Sequence, residues 1–302
     1  MGVAAPQKVY TRTLRGFRVD LPSRTTGCPT SGYSRLIEMS SQFKCSCSGP
    51  LYRFGPLCEI CLRKRENVNG SILCVSRNGL QYTKKAVHSA VEQDVPCDVM
   101  VIDNASSDGT QEWLRTKNVA TVLHTQQISL AACWNQGLKA FWGIGSREVL
   151  VINNDVVLRP DTYRLLVSCQ EPFITGVSVD KESQLGNVGD RSPQELMTGA
   201  REHPDFSCFM INKWVTDRGL WFDTDYFPAF YEDNAFHVEM HRKGIKALCV
   251  NVPFLHLGSQ TIKTASMGER EAIMRGAELN KAKFRRKYGC VPGTREYDAL
   301  FV

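Results

Sequence analysis

The chain has 302 residues, 42% of them hydrophobic and 23% charged, a composition that excludes a disordered or fibrous protein and is ordinary for a globular one. This length can hold one large α/β domain plus an appendage. No apolar run approaches the roughly 18 residues that a membrane helix needs, and the N-terminus has no apolar signal region. We therefore expect a cytoplasmic protein without a membrane span.

The net charge of +6 is unevenly distributed along the chain. Residues 1–65 hold 11 Lys+Arg against 3 Asp+Glu, a balance of +8, so the remaining 237 residues carry −2. Residues 1–40 show neither helical nor strand periodicity, which predicts an extended basic arm. Such an arm suits a polyanionic partner such as a nucleic acid, or is simply a solvated tail, and the charge alone favours neither.

Two cysteine pairs follow the arm, in a predicted module at residues 41–66. The pair Cys45 and Cys47 is separated by ten residues from the pair Cys58 and Cys61. Four thiolates at this spacing can close a tetrahedral Zn²⁺ site. Because all four ligands would come from the protein, the spacing predicts a structural zinc ribbon. The alternative is two pairs of unligated thiols in a loop.

From residue 71 the pattern changes to alternating strands and helices. Short apolar or β-branched runs predict strands, and apolar residues at helical spacing predict helices. The predicted strands are 72–75, 99–102, 121–123 and 149–152, and the predicted helices are 80–92, 111–115 and 130–142. This alternation predicts an α/β fold with a mainly parallel sheet covered by helices on both faces.

The most informative stretch is residues 149–158, in which Asn153, Asn154 and Asp155 separate two apolar runs. A carboxylate directly after a buried strand lies at the carboxyl edge of the sheet, where open α/β sheets bind ligands. A carboxylate oxygen there suits Mg²⁺ or Mn²⁺ carrying a diphosphate. The plainer interpretation is an Asn/Asp turn after a strand.

Several motifs in order resemble the GT-A glycosyltransferases, most closely the large inverting family two. The nucleotide-sugar half is represented by Val75-Ser76-Arg77-Asn78, the run from Val101 to Thr110, Asn135-Gln136-Gly137 and Asn153-Asn154-Asp155. The acceptor half is represented by Tyr231-Glu232-Asp233-Asn234, Arg242-Lys243-Gly244 and His256-Leu257-Gly258. The resemblance implies a GT-A (Rossmann-like) domain at 70–290, with a nucleotide-sugar half at 70–160, an acceptor half at 161–290 and a C-terminal tail at 291–302.

The resemblance also implies roles for the residues that bind the donor. Asp155 would hold the metal, and His256 would reach the metal or the diphosphate. Asp103 would hydrogen-bond the nucleotide base, and the remaining expected donor contacts are Arg77, Asn78, Asn135, Asn153 and Asn154. Asn153 departs from the family's D-x-D pattern, which leaves one negative charge fewer for the metal. The plainer interpretations are a turn aspartate at Asp103 and a structural histidine at His256.

The acceptor side needs a group that takes the proton of the attacking hydroxyl, and a carboxylate can do this. Glu232 and Asp233 resemble the family's E-D pair. The resemblance implies that Asp233 is the general base and that Glu232 positions the acceptor or the base. The alternative is a helix start made acidic to suit the helix dipole.

Together these features predict a metal-dependent glycosyltransferase that uses Mn²⁺ or Mg²⁺ and a nucleotide-sugar donor, most simply a UDP-sugar. Inversion is implied by the resemblance alone. The acceptor stays open between a nucleic acid, for instance a modified DNA base, and a protein or glycan. Two other hypotheses stand beside this one: a nucleic-acid-binding protein with an inactive transferase domain, and a nucleotidyltransferase.

Overall fold

The structure is a computed structural model that describes residues 10–11, 69–186, 191–258, 260, 263 and 265–301. The cysteine module predicted at 41–66, with Cys45, Cys47, Cys58 and Cys61, lies outside the described residues. So does the predicted arm at 1–40, apart from residues 10–11.

The strands of the described residues form one sheet in the order β1-β4-β3-β2-β5-β8-β7-β9-β6. Their bounds are β1 Tyr10–Thr11, β2 Gly70–Ser76, β3 Cys97–Asp103, β4 Ala120–Leu123, β5 Glu148–Asn153, β6 Val156–Val157, β7 Phe173–Val179, β8 Cys208–Asn212 and β9 Leu248–His256. The four strands predicted between residues 72 and 152 are confirmed, each extended by one or two residues at one or both ends.

Strand direction differs between the two parts of the sheet. The strands β4, β3, β2 and β5 are all parallel, as predicted. Beyond β5 the sheet is mixed, because β8 pairs antiparallel with both β5 and β7, whereas β9 is parallel to β7. The predicted α/β class is confirmed, and the parallel character belongs to the first half of the domain.

Helices cover both faces of the sheet. The α-helices are α1 Leu80–Val91, α2 Thr110–Arg115, α3 Leu130–Gly143, α4 Thr162–Ser168, α5 Pro193–Met197, α6 Lys213–Asp217, α7 Glu232–Arg242, α8 Met267–Tyr288 and α9 Arg295–Asp298. Alternate residues of β2 point to opposite faces because side chains alternate along a strand. Leu73 packs in the core with α3 and α7, whereas Ile72 packs in the core with α1 and α4.

Gly137 shows how closely α3 lies on the sheet. A Cβ atom at this position would stand 2.4 Å from Leu73 Cδ2, far inside van der Waals contact. Only glycine lets the helix approach the central strand this closely. The glycine of the Asn135-Gln136-Gly137 motif therefore has a packing role.

The C-terminal residues fold back onto α7 and α8, although the sequence predicts a tail at 291–302. The Phe301 ring stacks on His237 at 4.2 Å, and Tyr297 lies 6.0 Å from Phe284, measured between ring centroids. Tyr297 and Phe284 belong to a separate apolar cluster that includes Tyr226 and Tyr288. Apolar packing thus fixes residues 295–301 to the helix that begins with Glu232 and Asp233.

Candidate active site

The ends of β2, β3 and β5 bring three polar loops to one edge of the sheet. After β2 the chain turns through Asn78 and Gly79, which both adopt left-handed backbone conformations, with φ of 54° and 74°. The Asn78 N–H donates to Ser106 Oγ at 2.7 Å, and the Ser107 N–H donates to Asn78 Oδ1 at 2.9 Å. The loop after β2 is therefore fastened to the loop after β3.

Asp155 and His256 lie together at this edge, as the candidate metal ligands are expected to do. His256 Nε2 is 3.5 Å from Asp155 Oδ1, and the Gln260 N–H lies 3.3 Å from Asp155 Oδ2. Asp155 is 6% exposed. Burial raises the pKa of Asp155, but the hydrogen bond and the charge of His256 outweigh burial and hold it below its ordinary value. The bond to Asp155 raises the pKa of His256 against the effect of burial.

Of the two asparagines before Asp155, one side chain is occupied and the other is not. Asn154 Nδ2 donates to Asn78 O at 2.8 Å and to Thr83 Oγ1 at 3.1 Å, so this side chain ties the loop to α1. Asn154 is one of the predicted donor contacts, and its amide nitrogen is hydrogen-bonded within the protein. Asn153 is half-buried, and its side chain makes no hydrogen bond to any described residue. Of the two, Asn153 is therefore the one whose side chain is not bonded to another described residue.

Asp103 and Arg77 also bond within the protein. Asp103 is fully buried, and its carboxylate accepts hydrogen bonds from Ser106 N–H and Oγ and from Gln111 Nε2. Burial raises the pKa of Asp103 despite these donors. Arg77 Nη1 donates to the carbonyls of Asn104 and Ala105 at 2.8 and 3.0 Å. The carboxylate of Asp103 thus organises the loop that follows β3, and its contact with the nucleotide base stays a prediction.

Asn135 is one of the residues predicted to bind the donor, and its side chain bonds the backbone of Phe222. Its Nδ2 donates to Phe222 O at 2.8 Å, and its Oδ1 accepts from the Phe222 N–H at 3.1 Å. Asn135 is 8% exposed, so both halves of the amide are used inside the core. The residue joins α3 to the segment that leads towards α7. A buried amide needs such partners, and here the backbone supplies them.

Glu232 and Asp233 are the first two residues of α7. Asp233 is half-buried and accepts a hydrogen bond from the Asn234 N–H at 2.8 Å. Burial, reinforced by the nearby charge of Asp205 and opposed by Asn234, raises its pKa. Glu232 is 3% exposed and its Oε2 has no hydrogen-bond partner. Burial and the charge of Asp233 raise the pKa of Glu232 well above its usual range. That Glu232 positions the acceptor or the base stays a prediction.

An aromatic loop, residues 226–231, precedes α7. Phe230 and Tyr231 take the left-handed region with φ of 78° and 72°, which is costly for large side chains. Asn280 of α8 holds this loop by donating from Nδ2 to the carbonyls of Phe227, Ala229 and Phe230, at 3.2, 2.8 and 3.2 Å. The Leu130 N–H donates to Pro228 O at 2.9 Å. The loop is thus tied to the start of α3, and it carries the exposed Phe227 and Phe230 shortly before Asp233 in the chain.

A cavity of about 590 Å³ opens beside Asn78. Its lining residues come from the loops after β2 and β3 and from the first turns of α1 and α8: Asn78, Gly79, Leu80, Gln81, Lys84, Ser107, Asp108, Ser266 and Glu269. Asp108 lies two residues before the start of α2. Its Oδ1 accepts from Thr110, and its Oδ2 accepts from the Leu80 N–H at 2.8 Å, so it joins the starts of α1 and α2.

Asp205 is a residue that the sequence motifs did not indicate. It lies on the loop before β8, and its charge raises the pKa of both His256 and Asp233. The local signal was an Asp-x-Ser turn ahead of an apolar run, in which Asp205 Oδ1 accepts from the Ser207 N–H at 2.9 Å. Nothing in that pattern indicates which distant residues it faces.

Across the described ranges, no group of three or more His, Cys, Asp or Glu side chains is arranged to hold a metal ion. Asp155 and His256 supply one carboxylate and one imidazole. No described helix is both long and apolar enough to cross a membrane.

Residues 71–202 match the family model described as glycosyl transferase family 2. Glucosyl-3-phosphoglycerate synthase from Mycobacterium tuberculosis is a similar solved structure, with 13% identity over 74% of this chain and 81% of that chain and a TM-score of 0.50. A Pyrobaculum calidifontis mannosyltransferase is 14% identical over 77% of this chain and 83% of its own, with a TM-score of 0.48. Staphylococcus aureus TarS (residues 1–349) is 12% identical over 78% of each chain, with a TM-score of 0.44. No curated protein sequence matches the chain significantly.

The sheet order, the loops gathered at its carboxyl edge and the match over residues 71–202 agree with one another. The likeness to the mycobacterial structure supports the fold alone, and the family match covers the half that carries Arg77, Asp103 and Asp155. The protein is a glycosyltransferase with the GT-A fold.

Proposed function

We propose that the protein transfers a sugar from a nucleotide-sugar donor to an acceptor hydroxyl with inversion, using a divalent cation. The observation that carries this proposal is the meeting of Asp155 with His256, at 3.5 Å, next to the loops after β2 and β3. A carboxylate oxygen and an imidazole nitrogen are suitable ligands for Mn²⁺, and a carboxylate alone suits Mg²⁺. The solved mycobacterial and Pyrobaculum structures contain Mn²⁺, the first with UDP and the second with GDP-mannose.

The site fits a metal that the protein holds through two side chains. Asp155 and His256 present two donor atoms, and diphosphate oxygens would complete the coordination of an ion brought in with the donor. When bound, such a cation offsets the negative charge that develops on the departing diphosphate. The Asn153 side chain, which makes no hydrogen bond within the described residues, is available to contact the diphosphate or its ion.

The nucleoside of the donor fits the cavity beside Asn78. The cavity volume of about 590 Å³ suits a ligand of the size of a nucleoside. Asn78 lines the cavity, and its carbonyl accepts from Asn154, the residue before Asp155. A nucleoside in the cavity would thus place its diphosphate towards Asp155. Arg77 and Asp103 support this arrangement by shaping the loop that borders the cavity.

Asp233 acts as the general base. The acceptor hydroxyl gives its proton to the Asp233 carboxylate while its oxygen bonds to the anomeric carbon of the donor sugar. The bond from that carbon to the diphosphate oxygen breaks, and its electron pair leaves with the nucleotide. Glu232 is buried next to Asp233 in the chain, and burial together with the charge of Asp233 raises its pKa, which disfavours a second negative charge beside the base.

The acceptor is proposed by class only. The aromatic loop that leads to the base carries two exposed rings, Phe227 and Phe230. Such rings suit the face of a sugar or a nucleobase. The basic residues of segment 1–65 add a nucleic acid to the candidate acceptors, alongside proteins and glycans. We further propose that Cys45, Cys47, Cys58 and Cys61 bind one structural Zn²⁺, which metal analysis of the four-serine variant would test.

The test is hydrolysis of UDP-, GDP- and dTDP-sugars with and without Mn²⁺ or Mg²⁺. We expect metal-dependent release of one nucleotide, reduced on the order of 100-fold by Asp155→Ala or His256→Ala because the diphosphate loses its charge partner. The matched control is Asp217→Ala, because Asp217 is an exposed aspartate of α6 paired with Lys213. Release that persists in Asp155→Ala, or no release together with no nucleotide-sugar binding by calorimetry, would overturn the proposal.

A further inference from the structure

We infer that Asp205 is a positioning residue for the transferred sugar, whose hydroxyl donates a hydrogen bond to the second carboxylate oxygen of Asp205. This contact would help the enzyme select its donor sugar. The inference rests on the proposed function, since it requires a donor diphosphate at Asp155 and an acceptor hydroxyl at Asp233.

One side of the Asp205 loop is fixed to the sheet. The Asn153 N–H donates to Ser207 O at 2.9 Å, two residues after Asp205. The Asp205 N–H lies 3.2 Å from Thr175 Oγ1, on β7. Asp205 is therefore held at the same edge as the end of β5, two residues before Asp155.

The other side of the loop packs against the helix that carries the base. The ring of Phe206 meets Phe236 of α7 edge-on, with centroids 6.5 Å apart, and meets Phe222 at 6.3 Å. Phe236 lies about one turn after Asp233 on that helix. Asp205 is thus placed between the strand end that leads to Asp155 and the helix start that holds Asp233.

The carboxylate of Asp205 has one oxygen committed and one available. Its Oδ1 accepts hydrogen bonds from the N–H and the hydroxyl of Ser207. Its Oδ2 accepts none from the described residues, and the side chain is half-buried. Its effect on the pKa of both His256 and Asp233 supports a position near both groups. A carboxylate held near a second carboxylate is costly, and such arrangements are concentrated at functional sites.

The chemistry of the reaction indicates which group lies between Asp155 and Asp233. In a single displacement the sugar stands between the departing diphosphate and the incoming hydroxyl. The groups that a sugar presents to its surroundings are hydroxyls, which donate well to a carboxylate. The unused oxygen of Asp205 therefore faces the transferred sugar.

The test is a comparison of wild type and Asp205→Asn with the preferred donor and its monodeoxy analogues. Asparagine keeps an oxygen that can accept from the Ser207 N–H, so the turn is preserved. For wild type we expect one deoxy donor to lose on the order of 10- to 100-fold in kcat/KM, the range for a hydrogen bond to a charged group. In Asp205→Asn the same deoxygenation should cost no more than about 3-fold, because the charged acceptor is already gone.

Ser207→Ala is the matched control, because it removes a hydrogen bond from the same carboxylate and keeps the charge. A purely structural role would make Asp205→Asn and Ser207→Ala lower activity alike with the wild-type pattern of deoxy losses. That result would overturn the inference and leave the proposed function standing. Wild-type protein that uses no nucleotide sugar would instead overturn the proposed function, and the inference with it.

Discussion

The carboxylate of Asp233 is half-buried with two acidic neighbours, Glu232 and Asp205, and burial and the Asp205 charge raise its pKa above the ordinary 3.8. A base works only when deprotonated, so transfer is lost as the pH falls through this pKa. We therefore expect the acid limb of kcat/KM at a higher pH than for an ordinary aspartate, and Asp233→Asn to lose about 10²- to 10⁴-fold. The pH dependence of transfer measures both, and an acid limb below the ordinary value would contradict the assignment.

The coupling between Asp205 and Asp233 can be tested by a second measurement. The charge of Asp205 raises the pKa of Asp233, so Asp205→Asn should lower it. We expect the acid limb of kcat/KM to move to lower pH in Asp205→Asn, whatever the amplitude of its activity. Ser207→Ala keeps the charge and should leave the limb in place. An unshifted limb in Asp205→Asn would show that the two carboxylates are not coupled.

Asn153 and Asn154 offer a matched pair of substitutions. The Asn153 side chain has no hydrogen bond to lose within the described residues, so Asn153→Asp adds a negative charge near Asp155 at little cost to the fold. We expect the Mn²⁺ concentration for half-maximal activity to fall several-fold. Asn154→Asp instead breaks the bonds to Asn78 and Thr83, which should lower stability by about 1–3 kcal/mol without helping the metal. Equal metal responses of the two variants would argue against Asn153 as the accessible position.

Asn280 and Gly276 are among the residues of helix α8 that contact the aromatic loop. Asn280 donates from one amide nitrogen to three loop carbonyls, and Gly276 lies against Pro228. A Cβ atom on Gly276 would stand 2.4 Å from Pro228 Cδ and 3.1 Å from Phe227 O. The helix thus supports the segment that leads to Asp233.

Gly276→Ala should therefore push the loop away from α8. We expect a loss of about 1–3 kcal/mol of stability from overpacking, and a lower kcat because the loop leads directly into Asp233. Gly268→Ala is the control on the same helix, where a Cβ would meet nothing within 4 Å. That variant should be as active as wild type and more stable by up to about 1 kcal/mol. Thermal denaturation and transfer rates distinguish the two, and unchanged stability of Gly276→Ala would contradict the close contact.

Across the domain as a whole, the packing of the C-terminal residues makes stability depend on pH. His237 is 9% exposed under the Phe301 ring, and burial, with the neighbouring His241 and His203, lowers its pKa from 6.5 to about 4. Between these values the unfolded chain binds more protons than the folded protein. The free energy of unfolding should therefore fall as the pH drops from about 6.5 to about 4, by on the order of 3 kcal/mol for this residue.

The measurement is denaturant unfolding of wild type and His237→Gln at pH values from 7 down to about 4. Other groups titrate in this range, so the difference between the two proteins isolates the contribution of His237. We expect the wild type to lose its advantage over the variant as the pH falls. A difference that stays constant with pH would mean that His237 is not held neutral by its surroundings.

The local pattern of apolar and polar residues was sufficient to predict the strands and helices between residues 70 and 160. It also predicted which polar residues end each strand. It placed Asp155 at the sheet edge, because a strand followed by a carboxylate is a local feature. It did not reveal the antiparallel pairing of β8 with β5, which depends on how a later segment returns to the sheet. For the same reason it did not reveal the hydrogen bonds of Asn135 with Phe222, which is distant in sequence, and did not indicate Asp205. An amide or a carboxylate looks the same in sequence whether it serves a ligand or the backbone.

The left-handed backbone at Phe230 and Tyr231 bears on how this protein can evolve. Two large residues in that region cost about 1–3 kcal/mol each, and glycine in place of the more exposed Phe230 would recover part of that free energy. Such a substitution would raise thermostability. It would also make the backbone before Asp233 more flexible and remove a ring from the proposed acceptor surface. We expect selection for heat resistance alone to favour Phe230→Gly and selection for turnover to disfavour it. Stability and activity therefore make opposite demands on this one turn.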